Sequence, residues 1–140
     1  MIVNTPDIRA VWDECCERQG WSIPIDVVNY CVQVLEHHVD RPDWQPQPSY
    51  AEQFMQIRSV RQAIDLGNEC WFTRAVFPEL MSTRGIRSSY YVDMGTACFD
   101  RAVSATAHPT VRRLRDHFEF TAEVAWTAIH SKNGFRSMWD

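Results

Sequence analysis

Apolar residues recur every three or four positions along most of the chain, which is the spacing of one face of an α-helix. The first such stretch runs from Asp7 to Gln19 and stops at Gly20, a residue typical of helix ends. Thr5 is the predicted N-cap, and Pro6 suits the first helical position. The apolar stripe of this first helix comprises Ile8, Val11, Trp12 and Cys15.

A second helix follows after a short link, so we expect the two helices to form an antiparallel hairpin. Ser22 is the expected cap, and Pro24 stands in the first turn. The apolar stripe comprises Val28, Cys31, Val32, Leu35 and Val39. Three prolines then interrupt residues 40–49, which predicts an extended loop that carries Trp44.

The longest periodic stretch predicts a single helix from Ser49 to about Val76. Ser49 and Glu52 have the spacing of a capping box at its start. The stripe passes through Gly67, which costs about 1 kcal/mol relative to alanine unless the missing side chain serves packing. We expect Gly67 to face Gly95 of the following helix, so that two backbones meet closely.

Two further helices complete the pattern. One starts at Ser88 or Ser89, and the last runs from Pro109, capped by His108, to Gly134. Residues 132–140 form a C-terminal tail, and no alternating strand pattern of useful length occurs. The fold class predicted is therefore all-α: a single domain over residues 1–140, arranged as an antiparallel bundle of about five helices with one long central helix.

Charge and hydropathy narrow the classes of partner. The 140-residue chain has a formal net charge of −4, whereas proteins that bind nucleic acid mainly through phosphates carry dense positive charge. No apolar run approaches the roughly 20 residues of a membrane helix, and the N-terminus lacks a secretion signal. We expect a soluble cytoplasmic protein with no nucleic-acid or membrane partner. Its five cysteines are an odd number, typical of free thiols.

One block of the chain resembles a known family. The block spans residues 65–103 and contains Leu66-Gly67-Asn68, Trp71-Phe72, Phe77-Pro78-Glu79, Tyr90-Tyr91 and Met94-Gly95. It is similar to a block in uncharacterised bacterial all-helical proteins, which commonly have an acid where this chain has Asn68. The family has no assigned activity, so the resemblance implies an all-helical fold and no particular chemistry.

Two clusters contain metal-ligating residue types. Glu36 and His37 lie with a second histidine near the end of the second helix, where the alternative is a solvated helix end with favourable cationic charge. Cys15 and Cys31 are expected at similar heights in the hairpin, where they would form a thiolate metal site or a redox disulfide; the alternative is two small core residues. The histidine cluster does not have the spacing of a known helical metal motif.

A polar face on the long helix is the candidate ligand site. Arg61 and Asp65 are four residues apart on that face, and Tyr91 of the next helix is expected opposite them. His117 is a further, isolated candidate for the same role. The alternative is an exposed face with ordinary weak ion pairs.

No catalytic constellation is apparent, and aromatic residues exceed the needs of one small core. With 6 Trp, 7 Phe and 4 Tyr, surplus rings are available for an interface. The leading hypothesis is a non-catalytic accessory protein that acts through protein–protein contacts as a homodimer, with Trp44, Phe135 and Trp139 at the interface and no cofactor. The alternative is a sensor or enzyme that binds a small molecule, haem or metal in the bundle core.

Overall fold

The computed structural model describes residues 7–39, 41, 50–78 and 89–131. Within these ranges the chain forms seven helices and no strand, which confirms the prediction of an all-α protein for the described residues. The helices are α1 (Ile8–Gln19), α2 (Ile25–Val39), α3 (Ala51–Met55), α4 (Val60–Val76), α5 (Tyr90–Ala105), α6 (Pro109–Asp116) and α7 (Phe118–Ile129). None of them is both long enough and apolar enough to cross a membrane.

Both ends of α1 are set by short-range hydrogen bonds. Asp7, rather than the predicted Thr5, is the N-cap: its side chain accepts a 3.1 Å hydrogen bond from the Ala10 amide. Thr5 itself lies outside the described residues. At the other end the chain turns at Gly20, which has a φ of 72° that side-chain-bearing residues rarely adopt. The predicted helix stop at Gly20 is confirmed.

The prediction of one helix from Ser49 to Val76 is wrong. The chain leaves helical geometry after Met55 and starts α4 at Val60, with Ser59 as its N-cap. The Ser59 hydroxyl accepts a 3.1 Å hydrogen bond from the Gln62 amide, and the Gln62 side chain accepts one of 2.6 Å from the Arg58 amide. These bonds satisfy donors that a continuous helix would satisfy internally, so the break is locally stable.

The last predicted helix is also divided. His117 has non-helical dihedral angles and separates α6 from α7. The start of the segment is as predicted, because the His108 side chain accepts a 3.3 Å hydrogen bond from the Val111 amide and Pro109 is the first helical residue. The division turns one long apolar stripe into two shorter faces: α6 packs on α5 and α2, and α7 packs mainly on α4 and α1.

The core forms around α4, which lies against α2, α3, α5 and α7. Its largest buried side chains include Trp71 and Phe72 of α4, Trp12 of α1 and Phe99 of α5. The Trp71 indole N–H donates a 3.0 Å hydrogen bond to the Thr121 hydroxyl of α7. A polar side chain in the core thus has a partner, which removes most of the cost of burying it.

Gly67 and Gly95 do not face each other as predicted. A Cβ atom on Gly67 would lie 2.5 Å from the Phe99 ring, and one on Gly95 would lie 2.5 Å from the Phe118 ring. Each glycine therefore makes room for a phenylalanine ring against the helix backbone. The predicted purpose, close approach, is present, but the approaching group is a ring rather than a second backbone.

Ion pairs on the surface join the helices outside the core. Arg113 of α6 contacts Asp26 of α2 at 2.8 Å, and Arg115 contacts Asp100 of α5 at 2.8 Å. Arg74 of α4 is mostly buried and lies 3.5 Å from Glu123 of α7. The more exposed pairs of Arg113 and Arg115 contribute about 0–1 kcal/mol each, so they add little to the stability of the fold.

Candidate functional site

A polar groove lies between α2 and α4. Its volume is about 360 Å³, within the range of small-molecule sites. The described residues that line it are Tyr30, Gln33, Val34, His37 and His38 of α2, Arg41 just beyond α2, and Arg61, Asp65, Asn68 and Glu69 of α4. All of them except Val34 have a polar or charged side chain.

The floor of the groove is a buried imidazole held from three sides. His38 is 1% exposed, and its ring stacks on Phe72 with centroids 3.8 Å apart. Nδ1 lies 2.9 Å from the Val34 carbonyl oxygen, and Nε2 lies 3.5 Å from Oε1 of Glu69. Since a carbonyl oxygen only accepts hydrogen bonds, Nδ1 carries a proton and donates it. This hydrogen bond and the ring stacking fix the position of the imidazole and place a proton on Nδ1.

Glu69 connects the floor to the end of the groove. Its Oε1 atom lies 3.2 Å from Nη1 of Arg41 as well as near His38. The side chain of Glu69 is 23% exposed, so the carboxylate is partly shielded from water and its attraction for Arg41 is less screened than at an open surface. Arg41 is therefore held over the groove although it follows the last residue of α2.

Tyr30 and Asn68 form a second fixed pair, one on each wall. The Tyr30 hydroxyl donates a 2.6 Å hydrogen bond to the side-chain carbonyl of Asn68. Burial raises the pKa of the Tyr30 hydroxyl well above its usual range. The phenol therefore remains protonated at neutral pH and acts as a hydrogen-bond donor.

The rim of the groove is more open than its floor. Arg61 and Asp65 lie 3.9 Å apart, beyond hydrogen-bonding distance, and their side chains are 91% and 66% exposed. Gln33 and His37 are also exposed on the opposite wall. These groups keep hydrogen-bonding capacity that a bound molecule can use.

The structure brings together three of the predicted site residues and separates the others. Arg61, Asp65 and His37 line the same groove. Tyr91 is 1% exposed and packs edge-on against Tyr50 and Tyr90 in the core, so α2 rather than α5 faces the polar side of α4. His117 lies at the junction of α6 and α7, where its carbonyl accepts the Thr121 amide.

The predicted metal ligands belong to no group of three or more potential ligands in the described part of the chain. Glu36 is exposed and does not line the groove that contains His37. Cys15 and Cys31 are buried free thiols. No group of three or more His, Cys, Asp or Glu residues among those described is arranged to hold a metal ion.

The thiols are expected to react slowly, and with a characteristic pH dependence. Burial raises the pKa of Cys16 to about 11 and also raises the pKa of Cys15, Cys31, Cys70 and Cys98. Since only the thiolate attacks, alkylation of half-buried Cys16 by iodoacetamide should accelerate about tenfold per pH unit from about pH 7 to pH 9. Mass spectrometry of the labelled peptides measures this rate.

Cys16→Ser is the control and should remove the fastest phase of labelling. A rate that reaches a plateau below about pH 9 would contradict the raised pKa. Labelling of fully buried Cys31 ahead of Cys16 would contradict the burial order.

Sequence reasoning missed three residues of the groove. Tyr30 and Gln33 stand seven and four positions before His37, on the polar flank of α2, and this helical spacing was a usable signal. Arg41 had no such signal, because it follows the helix and reaches the groove only through Glu69.

The aromatic residues predicted at an interface, Trp44, Phe135 and Trp139, lie outside the described residues. Among those described, Phe120 and Trp126 of α7 are 41% and 37% exposed. Trp126 stacks on His130 with centroids 4.3 Å apart, and Phe120 packs edge-on against Trp21. Apolar surface is therefore present on α7.

The similarity of residues 65–103 to uncharacterised bacterial helical proteins stays a prediction. Asn68, where that block commonly has an acid, is the residue that binds the Tyr30 hydroxyl in the groove. No family model, no curated protein and no solved structure matches this chain.

Proposed function

We propose that this protein binds a small polar molecule in the groove between α2 and α4. The observation that carries the proposal is the polar lining of that groove over the buried, fixed ring of His38. Two helices that only pack together bury apolar side chains along their contact, whereas buried His38 and half-buried Tyr30 place polar groups under this groove. A polar lining is favourable when it recognises a polar ligand.

The inner part and the rim of the groove contribute differently to binding a ligand. Two pairs in the groove, Tyr30 with Asn68 and Arg41 with Glu69, are hydrogen-bonded in advance, so little ordering of these side chains is needed on binding. The rim residues Asp65, Arg61 and Gln33 supply charges and hydrogen bonds from the more exposed edge. The proposed function is binding, and it includes no chemical step.

Amide chemical shifts in the ¹⁵N-labelled protein provide the test. The probes are amino acids, simple carboxylates, simple amines and nucleosides, each added at millimolar concentration. We expect at least one class to shift amides of α2 and α4 near the groove. Gln33→Trp should abolish these shifts, because a large ring at an exposed lining position fills the groove.

Gln53→Trp is the matched control. Gln53 is an exposed glutamine on α3 and does not line the groove, so this variant should bind the same probes as the original protein. The proposal fails if no probe shifts the groove amides. It also fails if the shifts survive in Gln33→Trp.

A second candidate is the accessory protein acting as a homodimer. It is favoured by the exposed rings of Phe120 and Trp126, since aromatic residues are enriched at interfaces. Sedimentation velocity over a range of concentrations should then detect a dimer that Phe120→Ser weakens. Met55→Ser, which removes an exposed apolar side chain from α3, is the control and should leave the dimer intact. A strict monomer at high concentration would exclude this candidate.

A further inference from the structure

The two walls of the groove carry opposite charge character. On the α2 side, the ionisable lining residues other than Tyr30 are of basic type: His37, His38 and Arg41. On the α4 side, Asp65 and Glu69 are acids that lie one helical turn apart, with Arg61 at the far end. A molecule that spans the groove therefore meets a basic wall and an acidic wall.

We infer that the ligand is a small aminocarboxylate zwitterion, whose ammonium group binds Asp65 and whose carboxylate binds Arg41 with His37. This inference rests on the proposed function and adds the ligand class. A single anion would leave Asp65 facing it unfavourably across the groove, and a single cation would meet Arg41 in the same way. A zwitterion matches both walls at once.

On the α4 wall, Asp65 is the acid whose carboxylate can accept a hydrogen bond from a ligand. Glu69 is already contacted by Arg41 at 3.2 Å and by His38 at 3.5 Å. The charged partner of Asp65 is Arg61 at 3.9 Å, which is too far for a hydrogen bond. An ammonium group that reaches Asp65 therefore gains a charge-assisted hydrogen bond without breaking an existing one.

Arg41 is the corresponding base on the other wall. A guanidinium group has five N–H donors, and the contact of Arg41 with Glu69 is made through Nη1. The side chain is 46% exposed, so other donors remain accessible to a carboxylate. His37 stands on the same wall, one helical turn before Arg41 in the sequence, and adds a further donor.

Helix geometry gives an approximate spacing for the two anchors. Arg41 contacts Glu69, and Glu69 lies four residues along α4 from Asp65, a rise of about 6 Å. In an α-amino acid the nitrogen and the carboxyl carbon are only about 2.5 Å apart. About three carbon atoms between the two charged groups extend this distance to about 5 Å, which suits the anchors better.

γ-Aminobutyrate is the probe that tests the inference, with butyrate and n-butylamine as controls of similar length and one charge. Affinities are measured from amide shifts of the groove residues. We expect γ-aminobutyrate to bind at least about tenfold more tightly than either control, because each charge-assisted hydrogen bond contributes about this factor or more.

Two variants separate the anchors. Asp65→Asn should reduce γ-aminobutyrate affinity to that of butyrate, and Arg41→Gln should reduce it to that of n-butylamine. Asp13→Asn is the matched control, because Asp13 belongs to a similar Arg–Asp pair four residues apart on α1, away from the groove. It should not change the affinity.

The outcomes distinguish the two proposals. The zwitterion inference is wrong if butyrate or n-butylamine binds as tightly as γ-aminobutyrate. The binding function still stands in that case, provided that some polar probe shifts the groove amides. If γ-aminobutyrate binds but Asp65→Asn has no effect, the inference is also wrong. If no probe shifts the groove amides, both proposals fall.

Discussion

Trp71→Ala is expected to destabilise the protein by about 3–5 kcal/mol, the range for deleting a large buried aromatic side chain. Trp71 is 1% exposed on α4, and its indole reaches Thr121 of α7. The substitution removes this packing and leaves a cavity in the core. Because a domain of this size is stable by only about 5–15 kcal/mol, the urea denaturation midpoint should fall sharply.

Loss of the Trp71 hydrogen bond contributes to this loss of stability, and its contribution can be measured separately. Thr121→Val would leave the indole N–H without its 3.0 Å partner in the core, at a cost of about 1–3 kcal/mol. Trp126→Ala is the control for tryptophan loss as such, since Trp126 is exposed on α7, and it should cost less than about 1 kcal/mol. Equal losses for Trp71→Ala and Trp126→Ala would contradict the described core.

Gly67→Ala is expected to destabilise the protein by about 1–3 kcal/mol, although alanine in an open helix would stabilise by about 1 kcal/mol. The added Cβ would lie 2.5 to 2.9 Å from three atoms of the Phe99 ring. Phe99 is fully buried, so its ring can move only by displacing neighbouring core side chains. Overpacking therefore outweighs helix propensity, and chemical denaturation measures the difference.

Phe99→Leu provides the test of this mechanism. In that background the ring is gone, so the cost of Gly67→Ala should shrink or change sign. A double-mutant cycle gives the coupling free energy between the two positions directly. A stabilising Gly67→Ala in the original protein, or an equal cost in both backgrounds, would show that Phe99 does not pack against Gly67.

The helices were predictable because their signals are local. Apolar residues spaced by three and four positions indicated α1, α2 and α5, and the stop at Gly20 and the cap at His108 followed from single residues. The stripe from Ile8 to Cys15 is buried in the structure as expected. Such features depend on neighbours within about one helical turn, which the sequence displays directly.

The breaks within helices were harder to predict because periodicity continued through them. Ser59 and Gln62 have the spacing of a capping box, yet the apolar stripe on both sides suggested one continuous helix. At His117 the chain leaves helical geometry between two stretches that share one apolar period. In both places packing against other helices decides which of two locally acceptable backbones is adopted, and that information is distant in sequence.

The candidate site, too, was predictable from the sequence only in part. Arg61, Asp65 and His37 were selected from charge and spacing, and they share one groove. Their partners were not predictable, since the expected neighbour Tyr91 lies in the core, while Tyr30 and Arg41 take its place. A helix face can be recognised from its sequence, but the helix that lies opposite depends on the packing of the whole chain.

The sequence by itself determined that the described chain is helical, where several helices begin or end, and which faces are apolar, because backbone hydrogen bonding and side-chain periodicity act over a few residues. Only the tertiary structure decided that α2 lies across from the polar face of α4, and that phenylalanine rings fill the spaces at Gly67 and Gly95. These pairings depend on side-chain shape and burial across the whole core, where residues far apart in sequence compete for the same space.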